Sequence, residues 1–309
     1  MPAYCVREHQ SCKVKHIRII SPSGVIDPAY IDGAKERLRA WGFAVSEGAH
    51  ARDSFGRFAG TDEDRLADLC DALSDPQVDL ILCSRGGYGL QRIIDRVPAI
   101  TKPIIGFSDI TALHQLSGLN GQASLHGIMC KHIATLPDDS PALQGLQQAL
   151  RGETLCYNLP THPLNRMGEC VAPLVGGNLS VLYGLQGTPF GLQQSALRIQ
   201  FPILVIEDIG ERHYHIDRMM HSLRMSGVLA HLSGLIVGQF SDCDDDPLMP
   251  SDIRHTIYEA VADYNYPVLF DFPVGHVEDN RPLWLHTTAR MNITPDGACL
   301  EISCPEKKP

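Results

Sequence analysis

Two stretches of the chain, VDLILC (residues 78–83), apolar but for Asp79, and PIIGF (103–107), apolar throughout, each give way to polar, helix-compatible sequence. A strand that is apolar on both faces has to be covered on both faces, which a parallel sheet flanked by helices provides. The rest of the first half keeps the same rhythm. The run HIRII (16–20) is β-branched and ends in the turn cluster Ser21-Pro22-Ser23-Gly24. Helical spacing follows over 32–41 (Ala34, Leu38, Trp41), and a second strand starts at Ala44-Val45. Thr61 to Asp64 reads as a capping segment before a helix with apolar Leu66, Leu69, Cys70 and Leu73. A helix over 90–96 and another from Asp109 onward complete the alternation. The pattern predicts an α/β fold.

The length of 309 residues suits two domains. Residues 153–167 carry Pro160 and Pro163 and little periodicity, so a linker is expected there, between an amino-terminal domain over 1–152 and a carboxy-terminal one over 168–309. The second half opens with PLVGGN (173–178), and the spacing predicts that it leads into a helix over 179–185. Strands follow at 203–206, 235–237, 268–270 and around Trp284-Leu285, with helices over 216–225 and 253–264.

The formal net charge of −10 argues against nucleic acid or an anionic membrane as partner, since both call for a basic surface. Ten cysteines are scattered with no CxxC spacing, which excludes the common zinc-ribbon and thioredoxin-like patterns. Several lie in apolar runs, as Cys83 does, where a thiol behaves as a small hydrophobe in a reducing compartment. The amino-terminal MPAYCVREHQSCKVK is polar and mixed in charge, unlike a signal peptide, and no apolar run reaches the ~20 residues of a membrane span. A cytoplasmic protein is expected.

In parallel α/β sheets reactive groups collect past the carboxyl ends of the strands, where loops converge on one crevice. Four such ends stand out: Ser21-Pro22-Ser23-Gly24, Arg85-Gly86-Gly87-Tyr88-Gly89, Ser108-Asp109 and Glu207-Asp208. Ser108 has the strand, turn and helix context of a nucleophile elbow, with Gly106 in place but Ile110 where the second glycine of G-x-S-x-G belongs. A serine before a helix is more commonly an N-cap, and the two roles are compatible because a helix start also favours a developing alkoxide. A serine nucleophile needs a base and an orienting acid. Of fourteen histidines, His276 stands out by following a strand and a Pro/Gly turn, while Glu207 ends the apolar run FPILVI. A carboxylate at the mouth of a buried strand needs a partner, and an ordinary salt bridge would also serve. The glycines of SRGGYG match neither dinucleotide nor Walker spacing, leaving oxyanion donation by bare N–H groups as the alternative. The stretch His213-Tyr214-His215-Ile216-Asp217 invites a metal, but HExxH and HxxE are absent, and it reads as the start of a helix. The acidic run around Asp242 and Asp244–Asp246 reads as a solvated loop.

The SPSG turn, the RGGYG loop after an apolar strand, the GFSD turn, and LVIEDIGE paired with a later PVGH occur here in one order. Together they resemble the LD-carboxypeptidases of peptidase family S66, which include murein-tetrapeptide and microcin C self-immunity peptidases, over about residues 16–300. The resemblance implies a flavodoxin- or Rossmann-like amino-terminal domain, a smaller β-rich carboxy-terminal domain and a homodimer. It implies a triad of Ser108, Glu207 and His276, an oxyanion hole from the backbone of Asp109 and of Gly86 or Gly87, and neither metal nor other cofactor. The implied substrate is murein tetrapeptide, cut before its terminal D-alanine. Arg85 is a candidate for the substrate's free carboxylate. Three rivals remain: a self-immunity peptidase, which needs an aromatic cradle; a binder of small ligands without catalysis; and a metal hydrolase.

Overall fold

A computed structural model describes residues 14–194 and 201–305. The signal-peptide reading of the amino terminus, with Cys5 and Cys12, lies outside the described residues. The first sheet is built from β1 (His16–Ile20), β2 (Ala44–Glu47), β3 (Leu80–Cys83), β4 (Ile104–Gly106) and β5 (Ser124–His126), in the order β2-β1-β3-β4-β5 and all parallel. Strand alternation sends neighbouring residues to opposite faces, and both faces are covered. Ile17, Ile19, Leu80 and Leu82 pack under α1 (Pro28–Ala40), beside Ile31, Ala34 and Leu38. Ile20, Ile81, Cys83 and Ile104 face α2 (Asp62–Ser74) and α3 (Thr111–Leu119) on the other side. The expected cap is present at α2: the Thr61 hydroxyl accepts from Asp64 N–H and the Asp64 carboxylate accepts from Thr61 N–H. Two short 3₁₀ turns, Leu90–Arg92 and Ile94–Arg96, stand where one helix was expected. Beyond β5 lie α4 (Cys130–Thr135) and α5 (Pro141–Leu150).

The second half is richer in strands than the spacing predicted. The stretch expected as a linker contains β6 (Leu155–Leu159). PLVGGN, where no strand was expected, is the end of an eleven-residue strand, β7 (Gly168–Asn178), which runs directly into the expected helix, α6 (Leu179–Gly184). Then come β8 (Ile203–Ile209), α7 (His213–Met225), β9 (Gly234–Ser241), α8 (Ile253–Ala260) and β10 (Val268–Leu269). Strand β11 (Leu283–Leu285) leaves this half and joins the first sheet, antiparallel to β5. A hairpin of β12 (Thr288–Thr294) and β13 (Gly297–Ile302) closes the chain. The second sheet has the order β10-β9-β8-β7-β12-β13-β6, parallel from β10 to β7 and antiparallel beyond.

One apolar cluster continues from Ile19 and Leu80 of the first sheet to Leu174, Val205 and Ile236 of the second, so the two sheets share a core. Asn178 N–H also donates to the Thr111 hydroxyl at 2.9 Å, tying the end of β7 to the start of α3. The carboxyl ends of β4 and β8 are thereby held against each other. Of the cysteines among the described residues, Cys83 and Cys130 are buried and Cys156 is exposed. No helix among the described residues is long and apolar enough to cross a membrane.

Candidate active site

Gly106 ends β4, Phe107 is fully extended, and Ser108 then takes φ +66. A side chain in that left-handed region carries a penalty of about 1–2 kcal/mol, so the serine occupies a strained corner. A short 3₁₀ turn, Ser108–Ile110, leads into α3. The N-cap positions of that turn and of α3 belong to Phe107 and Ile110, so Ser108 is not the cap. The corner is tight: a Cβ on Gly106 would come within 2.8 Å of Ile110 Cγ1.

Neighbouring groups hold this corner in place. His114, fully buried on α3, donates through Nε2 to Gly106 O at 2.9 Å, and burial pushes its pKa down to about 4, so the ring is neutral. The buried Asp109 carboxylate accepts from the Ser23 hydroxyl at 2.5 Å and from Leu90 N–H at 3.0 Å. Burial raises the Asp109 pKa and these two bonds oppose the rise. The early SPSG turn thus ties the serine corner to the glycine loop. Gly24 N–H also donates to Gly86 O at 3.0 Å, and a Cβ on Gly24 would meet that oxygen at 2.8 Å. Arg65, buried on α2, donates through Nη1 to Pro22 O and Gly89 O, closing the same ring of loops.

The glycine loop itself stands over the serine. A Cβ on Gly86 would lie 2.8 Å from Ser108 Cβ and 3.1 Å from its Oγ. Gly87, at φ +108, packs on Gly24 instead. None of the backbone hydrogen bonds outside helices and strands among the described residues uses the N–H of Gly86 or Gly87.

The second sheet supplies a carboxylate and an imidazole. The register of β8 against β9 shifts between Ile206 and Asp208, a bulge that lets Glu207 and Asp208 both be buried. Asp208 accepts from Ser180 N–H and the Asn178 amide, holding the start of α6; burial and the Glu207 charge push its pKa up to about 7. Glu207 Oε2 accepts from His276 Nδ1 at 2.9 Å. A carboxylate can only accept, so this bond fixes the proton on Nδ1 and leaves Nε2 as a base. The His276 ring packs edge-on against Phe107, centroids 4.9 Å apart, one residue from Ser108. Gly275 has φ +129, and a Cβ there would lie 3.0 Å from Glu207 Oε2. Its N–H donates to the buried Asn280 side chain, which fixes the turn that presents the histidine.

Ser108, His276, Arg85, Gly86 and Gly87 all line one cavity of about 510 Å³. Asp109 and Glu207 sit buried behind it. Sequence reasoning missed Lys131 and His132 of α4, which line the same cavity, and the buried Arg65 and His114. Arg65 had a usable signal, since it shares an inward helical face with Leu69 and Ala72. Lys131 had none. The HYHID stretch does not converge: His213 bonds the Thr256 hydroxyl, His215 meets Glu211, and Asp217 meets His221. Of the acidic run, Asp245 and Asp246 accept from Ile253 and Leu248 N–H. Two other trios, Cys156 with Cys299 and Glu301, and His50 with Asp53 and Asp64, bring metal-binding atoms together, but neither lines the cavity. The arrangement at the cavity offers an oriented base, a strained hydroxyl and a loop of unprotected N–H groups, the parts needed for acyl transfer.

Two family models match the chain: the LD-carboxypeptidase N-terminal domain over residues 17–127 and the LD-carboxypeptidase C-terminal domain over residues 171–291. A Bacillus subtilis protein named "Probable murein peptide carboxypeptidase" is 32% identical over 300 residues, covering 94% of this chain and 92% of its own. The crystal structure of muramoyltetrapeptide carboxypeptidase from Oxalobacter formigenes has the same fold, at TM-score 0.85 and 24% identity over 95% of this chain and 100% of that one. So does the microcin C7 self-immunity protein MccF, in a complex with aspartyl sulfamoyl adenosine, at TM-score 0.78 and 18% identity over 95% and 97% of the two chains.

Proposed function

The chain belongs to the LD-carboxypeptidase family, and from that premise we propose that it is a serine peptidase releasing the terminal D-alanine of murein tetrapeptide. The observation that carries this reading is a single cavity lined by both a serine at φ +66 and an imidazole tethered to a buried carboxylate. The murein substrate is supported by the name of the Bacillus subtilis relative.

His276 Nε2 takes the proton of Ser108 Oγ as the oxygen attacks the carbonyl carbon before the terminal D-alanine. Glu207, fully buried and accepting from Nδ1, orients the ring and stabilises its charged form. The negative charge on the former carbonyl oxygen is met by Asp109 N–H and by the N–H of Gly86 or Gly87. His276 then passes its proton to the departing amine, D-alanine leaves, and an acyl bond joins the peptide to Ser108. Water, deprotonated by His276, attacks that ester, and collapse of the second tetrahedral species returns the serine and frees the tripeptide. The enzyme works as a cytoplasmic homodimer on peptides recovered from the cell wall, and no step calls on a metal or another cofactor.

Mass spectrometry of the products from L-Ala-D-Glu-diamino acid-D-Ala peptides tests substrate and bond together. Loss of one alanine is expected, and Ser108→Ala and His276→Ala should each lower turnover roughly a thousandfold or more with folding intact. A variant that keeps most of its activity would defeat the triad. Release of a nucleotide from a peptidyl-nucleotide in the same panel, with the murein peptides left whole, would favour the self-immunity reading; in the cavity lining, the aromatic rings available to a base are Tyr30 and Phe107. Ligand binding with no turnover in the wild type would favour the non-catalytic reading, and loss of activity on chelation the metal one.

A further inference from the structure

The cavity of Ser108 and His276 is cationic although the protein is acidic. The chain carries a formal net charge of −10, yet the charged side chains lining the cavity are Arg85 and Lys131 against Asp27 alone. Asp27 is already engaged, since its carboxylate accepts from Ala29 N–H at the start of α1. Arg85 is partly engaged too, donating through Nη1 to Val25 O at 2.6 Å. Lys131 is exposed and its ammonium enters none of the ion pairs among the described residues.

Its position is fixed by the fold. Cys130 N–H donates to Ser84 O at 3.2 Å, which docks the first turn of α4 on the residue before Arg85. Lys131 and Arg85 therefore stand on two segments joined at the base of the glycine loop. The next residue, His132, faces the ring of Phe107 with centroids 6.0 Å apart, so this turn of α4 also borders the serine corner. A lysine ammonium is a compact charge with three donors and no other obligation here, which suits it to a single carboxylate. A cleft whose lining charge is net positive draws anions to it.

We propose that Lys131 binds the free carboxylate of the substrate's terminal residue and so makes the enzyme cut one residue from the end; this rests on the serine-peptidase reading of the same cavity. The test compares kcat/KM for a murein tetrapeptide ending in D-alanine with that for the same peptide ending in D-alaninamide, in wild type, Lys131→Met and Lys131→Arg. The wild type should prefer the free acid by roughly tenfold or more, the range of a hydrogen bond to a charged group. Lys131→Met should lose roughly ten- to a hundredfold on the acid, in KM rather than kcat, and little on the amide, so that the preference collapses. Lys131→Arg should keep part of it. Activity of Lys131→Met on the amide doubles as the control for folding. An acid-to-amide ratio unchanged in Lys131→Met, or a wild type with no preference, overturns the assignment. A wild type that cleaves neither peptide overturns the serine-peptidase reading itself, and the assignment with it.

Discussion

Replacing Ser108 by glycine and, separately, by alanine divides the strain at the serine corner from its chemistry. At φ +66 a residue with a Cβ carries about 1–2 kcal/mol that glycine does not. Glycine in turn loses about 0.5–1 kcal/mol through the greater freedom of its unfolded chain. Alanine keeps the Cβ and therefore the strain. The corner cannot relax to relieve it, because Gly106 O is held by His114, Asp109 by Ser23, and Thr111 by Asn178. Ser108→Gly should thus be more stable than Ser108→Ala by about 0.5–1 kcal/mol, while neither turns over substrate. For a chain of 309 residues, an unfolding entropy of about 2.1 cal/mol/K per residue makes that a rise of only about 1–2 °C in Tm. Paired calorimetric scans of the two variants resolve it. Equal stability, or a more stable alanine variant, would mean that the corner holds no strain to release.

Glu207→Gln keeps the shape but removes the charge that stabilises the imidazolium, so kcat should fall roughly a hundred- to ten-thousandfold, with affinity for an uncleavable peptide analogue nearly unchanged; steady-state rates above a tenth of wild type would contradict the role. Gly86→Ala puts a methyl group 2.8 Å from Ser108 Cβ and 3.0 Å from Phe107 O, which should lower turnover by about a hundredfold or more and cost about 1–3 kcal/mol in denaturant unfolding. The pH dependence of stability should reveal His286, whose half-buried ring has its pKa pushed down by desolvation to about 4 and whose φ of +64 asparagine tolerates. Between pH 6.5 and 4 the unfolded chain binds a proton there that the folded one refuses, so wild-type stability is lost as pH falls through that window. His286→Asn should gain on wild type by at most about 3 kcal/mol on going from pH 7.5 to 4, taking a depression of 2.5 pH units at about 1.36 kcal/mol each and less the part lost because the folded ring is half protonated at pH 4. A pH-independent difference in unfolding free energy would show that the ring protonates freely in the fold.

The first four strands of the first half were legible because each carries its signal locally, whereas the three-residue β5 was not foreseen. LILC and PIIGF are apolar on both faces, and the helices between the strands have their own spacing and caps. That PLVGGN would be strand went unread for a physical reason. Its two glycines lack strand propensity, yet Gly176 and Gly177 stay within β7 at φ +126 and +132, values open mainly to glycine. A Cβ on Gly176 would lie 2.0 Å from Val205 O, and one on Gly177 would lie 2.5 Å from the Thr111 hydroxyl. These glycines mark backbone and helix approaching the strand closely, which no local pattern distinguishes from a turn. The hairpin of β12 and β13 did have a signal in the alternation TARMNIT before Pro295-Asp296-Gly297, with Ala289, Met291 and Ile293 inward. That β11 would leave the second half for the first sheet could not be read, since three buried residues fit either sheet equally well.

The site divides along the same line. Ser108, Glu207 and His276 were readable as residues at strand ends, each unremarkable alone, and it was the resemblance carried by the motifs together that implied a triad. What the sequence could not supply was the reason Ser108 and His276 share a cavity. That reason is packing: the apolar cluster runs unbroken through both sheets, β11 is shared between the halves, and Asn178 N–H donates to the first residue of α3. Gly177 leaves room for that last contact, because the Thr111 side chain occupies the space its Cβ would need. A methyl group there would push α3 away from β7, and α3 is the helix that the serine corner opens. The placement of the serine corner against the second sheet therefore depends on the same close approach that the glycines of β7 permit.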